Sequence, residues 1–233
     1  MLYCGHTLKI NEKGVIILEI TINGQHRQLV GNPPQVGEEL PHFKVLDKQG
    51  EKIKTRFLLG KVTLISVVPD ITTSVCSLQT KHFNEAVDQF RDVRFLTVST
   101  NLAETQQKWC AAEGVKNIEL VSDHEQSFGY SMKLLIPDED VLARSVWIID
   151  KEGKIVYRQL VSELTDEPDY DAALDALKKA VQAWRDRNDS VLWQQLAMNE
   201  KISLYRPITE TVWVVKRQGY ANEGSSRVSW LNW

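Results

Sequence analysis

The chain has 233 residues, enough for one large domain or a domain with an appendage, and 42% of them are hydrophobic, enough to bury a core. With 28 basic against 31 acidic residues the net charge is −3, so no excess of positive charge is available to grip nucleic acid through its phosphates. The longest early apolar run, Val15-Ile16-Ile17-Leu18, is broken by Glu19, far short of the ~20 residues a membrane span needs, and the first residues lack a basic leader and an apolar core. A cytoplasmic location is expected.

In chain order, Leu8-Lys9-Ile10, Val15 to Ile22 and His26 to Val30, punctuated by Glu12-Lys13-Gly14 and Asn23-Gly24, predict an N-terminal β-hairpin or meander that Gly31-Asn32-Pro33-Pro34 ends. Phe43 to Leu46 and a Lys48-Gln49-Gly50 turn lead to Val62 to Val68, a β-branched run that reads as a buried strand stopped by Pro69. Thr73-Ser74 supplies N-cap candidates, and Val75, Leu78, Gln79, His82, Phe83, Ala86, Val87 and Phe90 recur at helical spacing to Arg91. Cys76 therefore falls in a first helical turn, where free N–H groups and the positive end of the dipole favour a thiolate. A strand over Val93 to Val98, a helix over Ala103 to Glu113 carrying Cys110, and a strand over Ile118 to Val121 follow. Ser145 to Ile149 and Lys154 to Tyr157 form a hairpin around Asp150-Lys151-Glu152-Gly153, and a helix over Tyr170 to Arg187 turns Ala173, Leu174, Leu177, Ala180, Val181 and Trp184 inward. Alternating strands and helices indicate an α/β core.

Beyond Arg187 no pattern is assignable. Four of the seven tryptophans, Trp193, Trp213, Trp230 and Trp233, lie there, which favours burial against the body or a partner. The chain is divided accordingly into a domain over 1–187 and an extension of unknown role over 188–233.

Pro69, Thr73 and Cys76 reproduce the Pro-x-x-x-Thr-x-x-Cys pattern of the peroxiredoxins, and Val67-Val68-Pro69 with Val75-Cys76 narrows it to the thiol peroxidase branch. Gln35 to Phe43, Lys81-His82-Phe83-Asn84-Glu85, Lys108-Trp109-Cys110, Ser122-Asp123-His124, Ser127-Phe128-Gly129 and Leu142-Ala143-Arg144-Ser145-Val146 follow in that family's order and spacing. The resemblance spans residues 7 to 185. It implies a thioredoxin-like fold with a mixed central sheet, an N-terminal β-hairpin and a C-terminal extension, and an atypical two-cysteine peroxidase that forms a homodimer. By the same resemblance Cys76 is the peroxidatic sulfur, Arg144 its cationic partner, Thr73 a hydroxyl over the sulfur or a simple N-cap, and Pro69 a shaper of the pocket. Cys110, 34 residues on, is the resolving cysteine, and a thioredoxin-like protein the reductant. Hydrogen peroxide and organic hydroperoxides are the implied substrates. Because a disulfide needs Cα atoms about 4.4–6.8 Å apart, cysteines on two helices must unwind locally to meet.

The chain departs from the family pattern at Asp70, where serine is usual, and at Thr72, where aspartate is usual. An aspartate facing the sulfur would disfavour its thiolate. Cys4 has no evident partner, the five histidines lack the paired spacing of a zinc site, and no nucleotide-binding glycine motif or Gly-x-Ser-x-Gly elbow occurs, so neither cofactor nor metal is expected. His82 reads as a helix-face residue. A peroxide-sensing or partner-binding protein with weak turnover is the alternative; a thioredoxin-type reductase would require Cys-x-x-Cys, whose first position Thr73 occupies.

Overall fold

The computed structural model describes residues 2–3, 6–10, 16–90 and 92–203, with side chains for 18–90 and 92–188. The chain divides into two units, Met1–Asp189 and Ser190–Trp233. Strands β1 (Leu2–Tyr3), β2 (His6–Ile10), β3 (Ile16–Ile22) and β4 (Gln25–Gln28) form an antiparallel meander. Its last turn, Asn23-Gly24, has positive φ at both residues, 51° and 76°, the conformation of a type I′ hairpin that Asn-Gly adopts readily.

The main sheet has seven strands: β5 (Lys44–Leu46), β6 (Lys52–Lys54), β7 (Val62–Val67), β8 (Val93–Ser99), β9 (Glu119–Ser122), β12 (Ser145–Ile149) and β13 (Ile155–Leu160); β10 (Leu135–Ile136) and β11 (Val141–Leu142) make a separate small hairpin. The order is β13-β12-β7-β8-β9-β5-β6, with β7, β8 and β9 parallel and the flanking strands antiparallel. This is a mixed sheet of the thioredoxin-like α/β kind. Strand β7 lies between β12 and β8, and all six of its residues are buried, as both faces of a central strand must be.

Period-two alternation divides the core between the two faces. Ile65, Val67, Leu96, Val98, Trp147 and Ile149 point to one cluster; Val62, Leu64, Phe95, Val146 and Ile148 point to the other, beneath α1 (Ser74–Ala86) and α4 (Tyr170–Ser203). Cys76 belongs to the second cluster, and Cys110 on α2 (Ala103–Glu113) packs against it.

Several boundaries differ from the sequence reading. Helix α1 stops at Ala86 and tightens into a 3₁₀ turn over Val87–Gln89, because Phe90 turns extended and meets Phe95 with ring centroids 5.9 Å apart. The edge strand β13 runs to Leu160 rather than Tyr157. Helix α4 continues past Arg187 to Ser203, where no pattern was assignable. Trp213, Trp230 and Trp233, and the side chain of Trp193, lie outside the described residues. The short helix α3 (Ser127–Met132) and the β10–β11 hairpin were not anticipated.

Candidate active site

Strand β7 delivers the chain to Pro69, which cannot continue a ladder, and a tight turn follows. The Asp70 carboxylate organises it: Oδ1 accepts hydrogen bonds from the Thr72 N–H at 2.9 Å and hydroxyl at 2.8 Å, while the Asp70 carbonyl accepts from the Thr73 N–H at 3.1 Å. Helix α1 then begins with Thr73 at the N-cap position, extended at φ −81° and ψ 154°. Its hydroxyl does not cap the helix. It donates instead to the Asp70 carbonyl at 3.0 Å, which corrects the capping reading: the turn has already engaged that hydroxyl.

Cys76, the third helical residue, has no exposed surface. Its sulfur accepts from Arg144 Nη2 at 3.4 Å. Arg144, on the residues joining β11 to β12, is only 2% exposed, and its other donors are fixed: Nη1 to Gln79 Oε1 at 2.8 Å and Nε to the Leu164 carbonyl at 2.9 Å. Gln79 is fully buried, one turn after Cys76 on α1, and its amide nitrogen donates to Ser66 Oγ on β7 at 2.8 Å. Both other partners of the guanidinium are neutral. A buried cation held by two neutral acceptors leaves its charge for the sulfur, which is how a planar guanidinium stabilises an adjacent anion and presents directed donors to it.

A cleft of about 330 Å³ opens beside this group. Pro69, Thr73, Val75 and Arg144 line it together with Ile22 from the meander, Val141 and Leu164. The sulfur meets the cleft through Arg144, which both lines it and touches Sγ. The structure thus brings Pro69, Thr73, Cys76 and Arg144 into one place. Asp70 also lines the cleft, but its Oδ1 is engaged by Thr72 and by Asn101 Nδ2 at 2.8 Å. Burial raises its pKa, yet the hydrogen bonds from the Thr72 N–H, Asn101 and the Thr72 hydroxyl prevail and leave it below the ordinary carboxylate value.

Cys110 sits on α2, half-buried against the cluster that holds Cys76, and both are free thiols. Burial pushes the Cys110 thiol pKa up, partly offset by a backbone hydrogen bond. Beyond Cys76, Tyr170 stacks on His82 with centroids 3.9 Å apart and meets Phe83 edge-on, its hydroxyl donating to Glu167 Oε2 at 2.7 Å. Burial, the Glu167 bond and the nearby charges of Glu167 and Cys76 push the Tyr170 pKa up, against the opposing charge of Arg144.

Gln79 and the Leu164 carbonyl were missed as site groups. Gln79 is polar in the inward stripe of an otherwise amphipathic helix, and a buried amide at such a position must have partners. The carbonyl carries no sequence signal. Asp123 belongs to the support rather than the site: its two oxygens accept from the Phe128 and Gly129 N–H groups at 2.7 and 2.8 Å, joining the Ser122-Asp123-His124 and Ser127-Phe128-Gly129 motifs into a cap for α3.

The Redoxin family model matches residues 35–174. The thiol peroxidase of Bacillus subtilis is 42% identical over 70% of this chain and 98% of its own length, and that of Staphylococcus haemolyticus is 41% identical over 69% and 98%. Among solved structures, a peroxiredoxin-like protein from Aquifex aeolicus superposes with a TM-score of 0.65 at 32% identity, covering 70% of this chain and 96% of that one. A thiol peroxidase from Chromobacterium violaceum, at 17% identity and a TM-score of 0.64 over 69% of this chain and 96% of its own, shares the fold. With a family model over more than half its length and such relatives, the chain belongs to the Redoxin family, in the thiol peroxidase branch of the peroxiredoxins, and is a peroxiredoxin-type peroxidase.

Proposed function

We propose that this protein reduces hydrogen peroxide and organic hydroperoxides through Cys76, with Cys110 as the resolving thiol and a thioredoxin-like protein as reductant. The observation that carries the reading is the Arg144 Nη2 to Cys76 Sγ contact at 3.4 Å beside an open cleft. The Cys76 thiolate attacks one peroxide oxygen, the O–O bond breaks, and the departing oxygen takes a proton and leaves as water or an alcohol. Arg144 stabilises the thiolate and donates to the peroxide as negative charge moves onto the leaving oxygen. Thr73 and Pro69 bound the cleft where the peroxide enters.

The product is a Cys76 sulfenic acid. The Cys110 thiolate attacks its sulfur, a disulfide forms, and hydroxide leaves as water after protonation. A thiol pKa raised by packing makes Cys110 a weak nucleophile in place, and local opening that wets it restores its thiolate. Exchange with a dithiol protein then regenerates both thiols. The domain takes up residues 1–187, with 188–233 as an extension outside the family match, and the working assembly is a homodimer, which sedimentation at several concentrations tests.

The test is a coupled assay with a thioredoxin, its reductase and NADPH. Wild type turns over with each peroxide, and Cys76→Ser abolishes turnover; wild-type rates in Cys76→Ser overturn the reading.

A further inference from the structure

Cys76 and Cys110 sit on helices that are fastened at two places. At the far end Lys81 pairs with Glu113, and Asn84 Oδ1 accepts from the Asn117 N–H at 3.0 Å. At the near end the fastening is a reciprocal pair. Asn101 Oδ1 accepts from the Ile71 N–H at 2.9 Å, and Asn101 Nδ2 donates to Asp70 Oδ1 at 2.8 Å. Asn101 stands two residues before α2 and is itself pinned, its carbonyl accepting from Ser122 Oγ on β9 at 2.6 Å. One side chain thus ties the turn that opens the Cys76 helix to the base of the Cys110 helix, without touching Arg144 or the sulfur. Thr72 completes the cluster, its N–H and its hydroxyl both donating to the same Asp70 oxygen.

We propose that Asp70 and Asn101 form a latch: positioning residues that hold residues 70–76 closed while Cys76 meets peroxide, and whose opening sets how the oxidised sulfur divides between disulfide and overoxidation. The inference rests on the disulfide reading above. With the latch closed, the sulfenic acid stays beside Arg144, where a second peroxide oxidises it to sulfinic acid and is itself reduced to water or alcohol. With it open, the 70–76 turn swings free, Cys110 reaches the sulfur, and water leaves as the disulfide forms. Opening breaks both Asn101 bonds and leaves those within residues 70–73 in place.

The experiment follows single turnovers of full-length protein by quenched mass spectrometry over a series of hydrogen peroxide concentrations. Removing both bonds with Asn101→Ala is expected to speed disulfide formation about tenfold and to lower the overoxidised fraction in proportion. Asn101→Asp, which sets two carboxylates against each other, moves both the same way. Amide exchange on the unmutated protein is independent of whether the variants fold: the Ile71 amide is protected in the reduced form and exchanges at least about tenfold faster in the disulfide form. Equal Ile71 protection in both forms, or an unchanged division in Asn101→Ala, overturns the latch alone. A wild type that forms no Cys76–Cys110 disulfide overturns both the latch and the functional reading.

Discussion

Replacing Gln79 by glutamate tests what holds the guanidinium charge on the sulfur. Gln79 Oε1 lies 2.8 Å from Arg144 Nη1, and the sulfur 3.4 Å from Nη2, so a carboxylate at position 79 would compete with the Cys76 thiolate for one cation. Unit charges ~4 Å apart interact by about 4 kcal/mol at an effective dielectric of about 20. If half of that is withdrawn from the thiolate, the first step loses about 2 kcal/mol, roughly thirtyfold in rate. The assay is stopped-flow mixing of pre-reduced Gln79→Glu with peroxide in a Cys110→Ser background, which isolates oxidation of Cys76. Thermal unfolding separates this effect from damage: Gln79→Glu keeps an acceptor for Nη1 but gives up the amide donor to Ser66 Oγ, which the Ser66 hydroxyl offsets by turning to donate, so the stability loss stays within about 1.5 kcal/mol. Gln79→Met leaves a fully buried charged donor unmatched and costs about 1.5–3 kcal/mol of stability. A second-order rate constant for folded Gln79→Glu within twofold of the parent would refute the idea that neutral partners reserve the charge for sulfur.

Two further outcomes concern the support around the site. Burial lifts Asp123 to about 6 despite the hydrogen bonds it accepts from Phe128 and Gly129. The folded state therefore holds a proton that the unfolded chain releases near 3.8, and the contribution is full below that value and lost as pH rises to about 6, a change of about 3 kcal/mol. Carbon-detected titration of the Asp123 carboxyl should give a midpoint near 6, and a midpoint at or below 4 contradicts the packing described. Gly129→Ala would set a methyl 2.7 Å from Leu142 Cδ2 and 3.2 Å from both Asp123 Oδ2 and Leu135 Cβ, so chemical denaturation should show a loss of about 1–3 kcal/mol; an unchanged midpoint contradicts that close approach.

Two elements were legible without help from distant partners. The β-branched run of β7 carries its own signal, and the helix over Ala103–Glu113, rich in strong helix formers, appears with the boundaries read from the sequence. What escaped depended on distant partners. Six-residue α3 contains a glycine and starts after Gln126 in a left-handed conformation, and its N–H groups are satisfied by Asp123, a pairing invisible to local pattern. Helix α1 ends early because Phe90 leaves the helical path and meets Phe95 on the neighbouring strand. At the site, Cys76, Thr73, Pro69 and Arg144 could be named from motif, but not how they are held. Asp70, read as a carboxylate that could oppose the thiolate, has Oδ1 engaged by Thr72 and Asn101, and Thr73 spends its hydroxyl on the Asp70 carbonyl. Gln79 shows why spacing alone is insufficient: its inward position was evident, its role only once Arg144 stood beside it.

The central claim is that one sulfur attacks peroxide beside Arg144 and is then trapped by a second. Non-reducing peptide mapping after one equivalent of peroxide measures it most directly. The expected result is a Cys76–Cys110 crosslink in wild type and a sulfenic acid on Cys76 alone in Cys110→Ser. Two cysteines that stay reduced while peroxide persists, or oxidation of Cys110 with Cys76 untouched, would contradict it.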